Sequence, residues 1–172
     1  MEKKAQIFSA ELVIASALFI GALMLFVAIW AAMHSAYSEE KMEREMQTVL
    51  FGISDMLVLS PGEPSGWEQS EMENASAIGL ATRSNRLSPT KFSKLESLNA
   101  TNYQDIKESM GAGRFDIYIA LNNSTALLYS FGISADLNNS TTLAISTERL
   151  VLMNDSIATL KVQVWGKKGR IL

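Results

Sequence analysis

Leu12-Val-Ile-Ala-Ser-Ala-Leu-Phe-Ile-Gly-Ala-Leu-Met-Leu-Phe-Val-Ala-Ile-Trp-Ala-Ala-Met33 is the stretch on which the fold turns. Twenty of its 22 residues are apolar, and only Ser16 and Gly21 interrupt it. As a helix rising ~1.5 Å per residue it is long enough to cross the ~30 Å hydrocarbon core of a bilayer. A secretory signal peptide has an apolar part of only ~7–15 residues and ends at a small-x-small cleavage site. Here the run is longer and passes through Trp30 into a further helical pattern. A core helix apolar on every face needs a large protein around it, and this chain has 172 residues. The expectation is one retained membrane span over 12–33. Lys3 and Lys4 precede it, whereas Glu39, Glu40, Glu43 and Glu45 follow it. The positive-inside rule then places the N-terminus in the cytoplasm and the chain from about Ser35 outside. Trp30, His34 and Tyr37 fall where amphipathic rings favour the outer interface.

Beyond the span, Met42, Met46, Val49, Leu50, Ile53, Met56 and Leu57 recur at three- and four-residue steps, with charged residues on the other faces. Ser60-Pro61-Gly62 is a strong stop. The pattern predicts one continuous helix over 7–60, from about Phe8 to Leu59. Its first half is apolar all round, and its second half carries one stripe that serves as a packing face for a head, 61–172.

The head is α+β by pattern. A loop with Pro61, Pro64 and Trp67 runs to about Leu87. Ser88-Pro89 signals an N-cap with proline at the first helical position, for a helix through Leu98. Thr101 is the expected cap of a second helix, Asn102 to Met110, closed by Gly111 and Gly113. After Gly113 the period changes to two. Phe115 to Ile119 and Leu127 to Phe131 flank the turn Asn122-Asn123-Ser124-Thr125, and Leu143 to Met153 and Ile157 to Trp165 flank Asn154-Asp155. A small antiparallel sheet lying on the apolar stripe of the long helix is the expected fold.

Chemistry is scarce. With no cysteine and one histidine, His34, thiolate sites, cysteine nucleophiles and His-His metal sites are excluded. No nucleophile elbow or phosphate loop is present, and Gly111-Ala-Gly113 precedes a strand pattern rather than a helix. Glu68, Glu71 and Glu73 are the candidates for an acid–base pair, but they lie in a polar stretch and are expected to solvate it, and acidic residues are too scattered for a calcium loop. Lys167-Lys168-Gly169-Arg170 is a basic end suited to acidic lipid or sugar, with a frayed, soluble terminus as the expectation. A net charge of −3 gives no nucleic-acid footprint. No enzyme, metal or cofactor is expected.

Two features remain. Asn-x-Ser/Thr sequons, the glycan acceptors of exported chains, begin at Asn74, Asn99, Asn122, Asn123, Asn138, Asn139 and Asn154. Ser and Thr make up 29 of 172 residues, so the nine asparagines would give only about 1.5 sequons by chance. The bland alternative is polar turn chemistry that happens to match. Glu11 is the second feature, an ionisable residue at the edge of the span, where burial costs a few kcal/mol unless it is paired or near the interface. Either it snorkels to the cytoplasmic face, or it pairs with a positive group on a neighbouring subunit, such as an α-amine freed by cleavage just upstream.

Met1-Glu-Lys-Lys-Ala-Gln-Ile-Phe-Ser-Ala-Glu11, followed by the apolar run, resembles the start of an archaeal type IV pilin or pilin-like precursor (a pseudopilin with a class III signal peptide). Pro61-Gly-Glu-Pro64-Ser-Gly-Trp67, Leu87-Ser-Pro-Thr-Lys91, Phe115-Asp-Ile-Tyr118 and Thr159-Leu-Lys-Val-Gln-Val-Trp165 are similar to segments of pilin-like heads. The resemblance implies a lollipop fold, a stalk helix under a sheet head. It implies a leader, 1–6, processed around Lys3, Lys4, Ala5, Gln6 and Ile7 by a membrane-embedded prepilin peptidase. Cleavage before Gln6 makes Glu11 the sixth residue of the mature chain, and cleavage after Gln6 makes it the fifth, the usual position of the pilin glutamate. It further implies docking through Glu11 against other pilin-like subunits and the pilus assembly platform. Ala15, Ala17, Gly21 and Ala22 would allow close helix approach. The function so implied is a minor pilin or pseudopilin of a surface filament or secretion system. The competing expectation is an uncleaved single-pass surface protein whose head binds a ligand or partner protein.

Overall fold

The structure, a computed structural model, describes residues 2–69 and 75–167, with the side chains of α1 described from Glu11 onward except at 35, 36 and 38. The elements in chain order are α1 (Glu2–Leu59), a 3₁₀ turn (Trp67–Gln69), β1 (Ala81–Arg83), β2 (Arg86–Leu87), α2 (Pro89–Ser97), α3 (Tyr103–Ser109), β3 (Asp116–Asn122), β4 (Leu127–Gly132), β5 (Thr142–Met153) and β6 (Ser156–Lys167). The protein is α+β, with a long N-terminal apolar helix and a mixed sheet. It divides into two compact units, Met1–Met42 and Glu43–Leu172.

The first unit is helix alone. α1 is helical from the first described residue, Glu2, ahead of the expected start near Phe8, and Glu2-Lys-Lys-Ala-Gln-Ile-Phe holds no glycine or proline to break it.

In the second unit the C-terminal turns of α1 place Met46, Leu50, Ile53, Leu57 and Val58 in the core, while Gln47, Phe51 and Asp55 stay exposed. Val49 and Met56 flank this stripe half-buried. The terminal carbonyls of α1, which no intrahelical N–H can reach, are met by the β1–β2 segment. Leu80 N–H donates to Leu57 O at 3.2 Å, and Asn85 N–H donates to Val58 O at 3.0 Å.

The sheet has six strands in the order β1-β2-β5-β6-β3-β4. The long β5–β6 hairpin pairs Thr142↔Lys167 through Met153↔Ser156. Its two-residue turn puts Asn154 at φ 51° and Asp155 at φ 60°, the left-handed pair that a primed hairpin turn needs and Asn and Asp tolerate. β3 pairs with β6 on one side and β4 on the other, both antiparallel. One departure from a purely antiparallel sheet is β2, which joins β5 in parallel at Arg86↔Leu152, with Leu152 N–H donating to Asn85 O at 2.8 Å. The long loop expected over 61–87 therefore contains a 3₁₀ turn and two short strands. Ile117, Ile119, Leu121, Phe131, Leu160, Val162 and Val164 line the inner face of the sheet and are wholly buried.

Ser88 caps α2, its Oγ accepting from Lys91 N–H at 3.4 Å, with Pro89 at the first helical position. α3 differs from expectation. Its N-cap is Asn102, with no side-chain cap bond, and Thr101 Oγ1 instead donates to Asn102 Oδ1 at 2.7 Å.

Candidate functional site

From Glu11 to His34 every residue of α1 is exposed. The most apolar 18-residue window has a mean hydropathy of 2.8, and none of it is buried. Phe19, Met24, Leu25 and Phe26 each leave about two thirds of their surface open. Among the described residues this is one helix long and apolar enough to cross a membrane.

Advancing about 100° per residue, the helix divides the four small residues between two faces. Glu11, Ala15 and Ala22 share one face, and Ala17 and Gly21 share another about 120° away. Gly21 lies in open space, so a Cβ there would touch nothing within 4 Å. Helix neighbours can therefore approach from two directions, one of which carries the carboxylate. Trp30 and His34, one turn apart, stack with ring centroids 5.8 Å from each other. Lys3, Lys4, Ala5, Gln6 and Ile7 lie in the first turns of α1, with side chains outside the described set.

The head holds polar groups that sequence patterning does not reveal. Lys91, in the first turn of α2, is only 4% exposed. Its Nζ donates to Pro61 O and, at 2.7 Å, to Ser65 O, tying α2 to the loop after α1. Burial pushes its pKa below the ordinary lysine value, and the neighbouring Glu68 opposes that shift. Glu68, expected to solvate a polar stretch, is half-buried, and its Oε2 has no hydrogen-bond partner among the described residues. Glu71 and Glu73 lie outside the described residues. Trp67 beside it is fully buried and donates Nε1–H to Gly79 O at 2.8 Å. Tyr103 OH donates to Asp116 Oδ1 at 3.0 Å and accepts from Ile117 N–H at 3.1 Å, and Lys107 lies 3.4 Å from the same carboxylate. Burial raises the Tyr103 pKa well above its ordinary value, partly offset by the Ile117 N–H and reinforced by Asp116. These groups lock loops to helices and strands. Among the described residues no three acidic or imidazole groups converge on a metal position.

The sequons are spread over the head. Asn99 is half-buried, Asn122 sits in β3, and Asn123, Asn138, Asn139 and Asn154 lie exposed in turns. Asn74, Lys168, Gly169 and Arg170 lie outside the described residues. A cavity of 360 Å³ between the tips of the two hairpins is lined by Asn123, Leu128, Tyr129, Met153 and Ile157 among others.

No family model, no curated protein and no solved structure matches the chain.

Proposed function

We propose that this chain is a structural subunit, a minor pilin or pseudopilin, of an archaeal type IV pilus-like filament or secretion system. The observation that carries the reading is the apolar surface of Leu12–Met33, open on every side of α1. A helix of this kind must be covered, first by lipid and then by other helices. Before assembly the segment is a single span with the N-terminus in the cytoplasm and the head outside, in keeping with Lys3 and Lys4 ahead of it. Prepilin peptidase removes the short basic leader on the cytoplasmic side. The freed α-amine of one subunit then pairs with Glu11 of a neighbour.

Glu11 is what separates this reading from a plain anchor. A simple anchor has no use for a carboxylate at the edge of an apolar run, where it would only snorkel to the cytoplasmic face. In a bundle the same charge fixes axial register, because only one stagger brings it to its partner.

Glu11→Leu tests the reading. The variant is expected to insert in the membrane at normal abundance yet be depleted at least tenfold from filaments sheared off the cell surface. Undiminished incorporation would contradict it, and an uncleaved surface protein with a ligand-binding head would then lead.

A further inference from the structure

Six of the seven sequons begin at described residues, and their geometry sorts them. At Asn123 and at Asn139, the hydroxyl that completes the sequon is turned back onto the asparagine itself. Thr125 donates to Asn123 Oδ1 from its N–H at 2.9 Å and from Oγ1 at 3.1 Å, and Ala126 N–H adds a third bond at 2.7 Å. Thr141 makes the same pair of bonds to Asn139 Oδ1, at 3.0 Å and 2.7 Å. Backbone N–H groups only donate, so the atom facing them is the carbonyl oxygen of the carboxamide. Nδ2 is then directed away and makes no hydrogen bond among the described residues. Both asparagines are exposed and stand in turns outside the sheet ladder.

The other described sequons lack this arrangement. Asn99 Oδ1 accepts from Gly132 N–H at 2.8 Å, while the hydroxyl of Thr101 is spent on Asn102. Asn122 is held in β3 between Leu127 and Thr159. Asn154 is the left-handed first residue of the β5–β6 turn, and Ser156 is already in the strand. Asn138 is exposed, but Ser140 makes no bond to it.

We propose that, among the six described sequons, Asn123 and Asn139 are the N-glycosylation sites, modified by a membrane oligosaccharyltransferase that uses a lipid-phosphate-linked oligosaccharide. The inference rests on the outside placement of the head proposed above. In the transfer, Nδ2 attacks the anomeric carbon of the sugar. The C–N bond forms, the bond from that carbon to the phosphate oxygen breaks, the lipid phosphate leaves, and the amide proton passes to a base of the transferase. Such an enzyme reads the hydroxyl two residues after the asparagine. Thr125 and Thr141 present that hydroxyl and the carboxamide as one preformed unit, so little ordering cost remains on binding.

The overlap of adjacent sequons supplies the test. Thr125→Ala destroys the Asn123 sequon and keeps that of Asn122, whereas Ser124→Ala does the reverse; Thr141→Ala and Ser140→Ala act likewise on Asn139 and Asn138. Full-length protein from its native membrane is digested and its peptides are weighed. The expected result is a glycan on the 123 and 139 peptides, lost singly in the two threonine variants, kept in the two serine variants and kept in Thr125→Ser. A surviving glycan on Asn139 in Thr125→Ala shows that the variant folds and is exported. A glycan lost with Ser124 or Ser140 instead, or bare peptides at both positions, would overturn the proposal. The same digest reports the N-terminus. Bare asparagines beside a processed N-terminus overturn this inference alone, whereas an unprocessed N-terminus counts against the filament reading.

Discussion

Arg149 Nε donates to Ser54 Oγ at 3.0 Å, joining β5 to a fully buried hydroxyl on α1. The same guanidinium reaches Asp55 at 2.5 Å. One arginine thus satisfies the only polar side chain that α1 sends into the core of the head, among the described residues, and pairs with a half-exposed carboxylate beside it. The sheet is fixed to a helix whose other half is proposed to lie in lipid.

Arg149→Met is expected to destabilise the head by roughly 1–3 kcal/mol, because it leaves the buried Ser54 hydroxyl unpaired. Asp55→Asn should cost less than about 1 kcal/mol, since that pair is exposed to solvent. Urea unfolding of the full chain in detergent, followed by tryptophan fluorescence, reads both. Equal losses would mean that the surface ion pair, not the buried hydroxyl, carries the attachment.

Gly79→Ala is expected to be among the most damaging small substitutions. A Cβ there would stand 2.1 Å from Ser60 O and 2.4 Å from Gly62 N, both backbone atoms. The loop would have to move, and Trp67 would lose its bond to Gly79 O. A cost of about 1–3 kcal/mol or more is expected from overpacking. Gly66→Ala, where a Cβ meets nothing within 4 Å, should stay within about 1 kcal/mol of wild type. The two variants compared in the same unfolding assay check the packing of the 60–80 segment.

Tyr103 gives the head an alkaline limit. Its folded pKa is raised above 10.0, so the folded state binds the phenolic proton more tightly than the unfolded chain does. The stability this contributes is complete below pH 10 and is lost as pH rises through the folded pKa. Tyr103→Phe should be less stable at pH 8 by roughly 1–3 kcal/mol, since Ile117 N–H loses its acceptor. Above pH 10 the gap to wild type should narrow. Parallel curves from pH 8 to 11 would contradict the role given to the phenol.

The legible parts of this fold are those where one residue type has one local use. Asn154-Asp155 between alternating strands predicts the β5–β6 hairpin, because both residues tolerate the left-handed turn. Ser88-Pro89 similarly marks the start of α2. β1 and β2 escape detection because three and two residues are too short to show alternation, and their pairing depends on the carbonyls at the end of α1. Lys91 escapes because a lysine reads as surface unless the carbonyls of Pro61 and Ser65 are known to surround it. The apolar segment was fully legible from composition. The division of its small residues between two faces follows from helical periodicity, and the sorting of the sequons required the turn geometry.

The head is expected to fold alone. A fragment from Glu43 to Leu172 contains one compact unit with its own core. It should be soluble without detergent, with a cooperative thermal transition and the mass of a monomer in sedimentation. A fragment that aggregates or melts without cooperativity would show that the head needs the preceding helix.

The most direct test of the filament account is the intact mass and N-terminal residue of the protein purified from its native membrane. The account predicts loss of five or six residues, with a new start at Gln6 or Ile7 and Glu11 within one turn or so of a free α-amine. A chain that still begins at Met1 or Glu2 would contradict it.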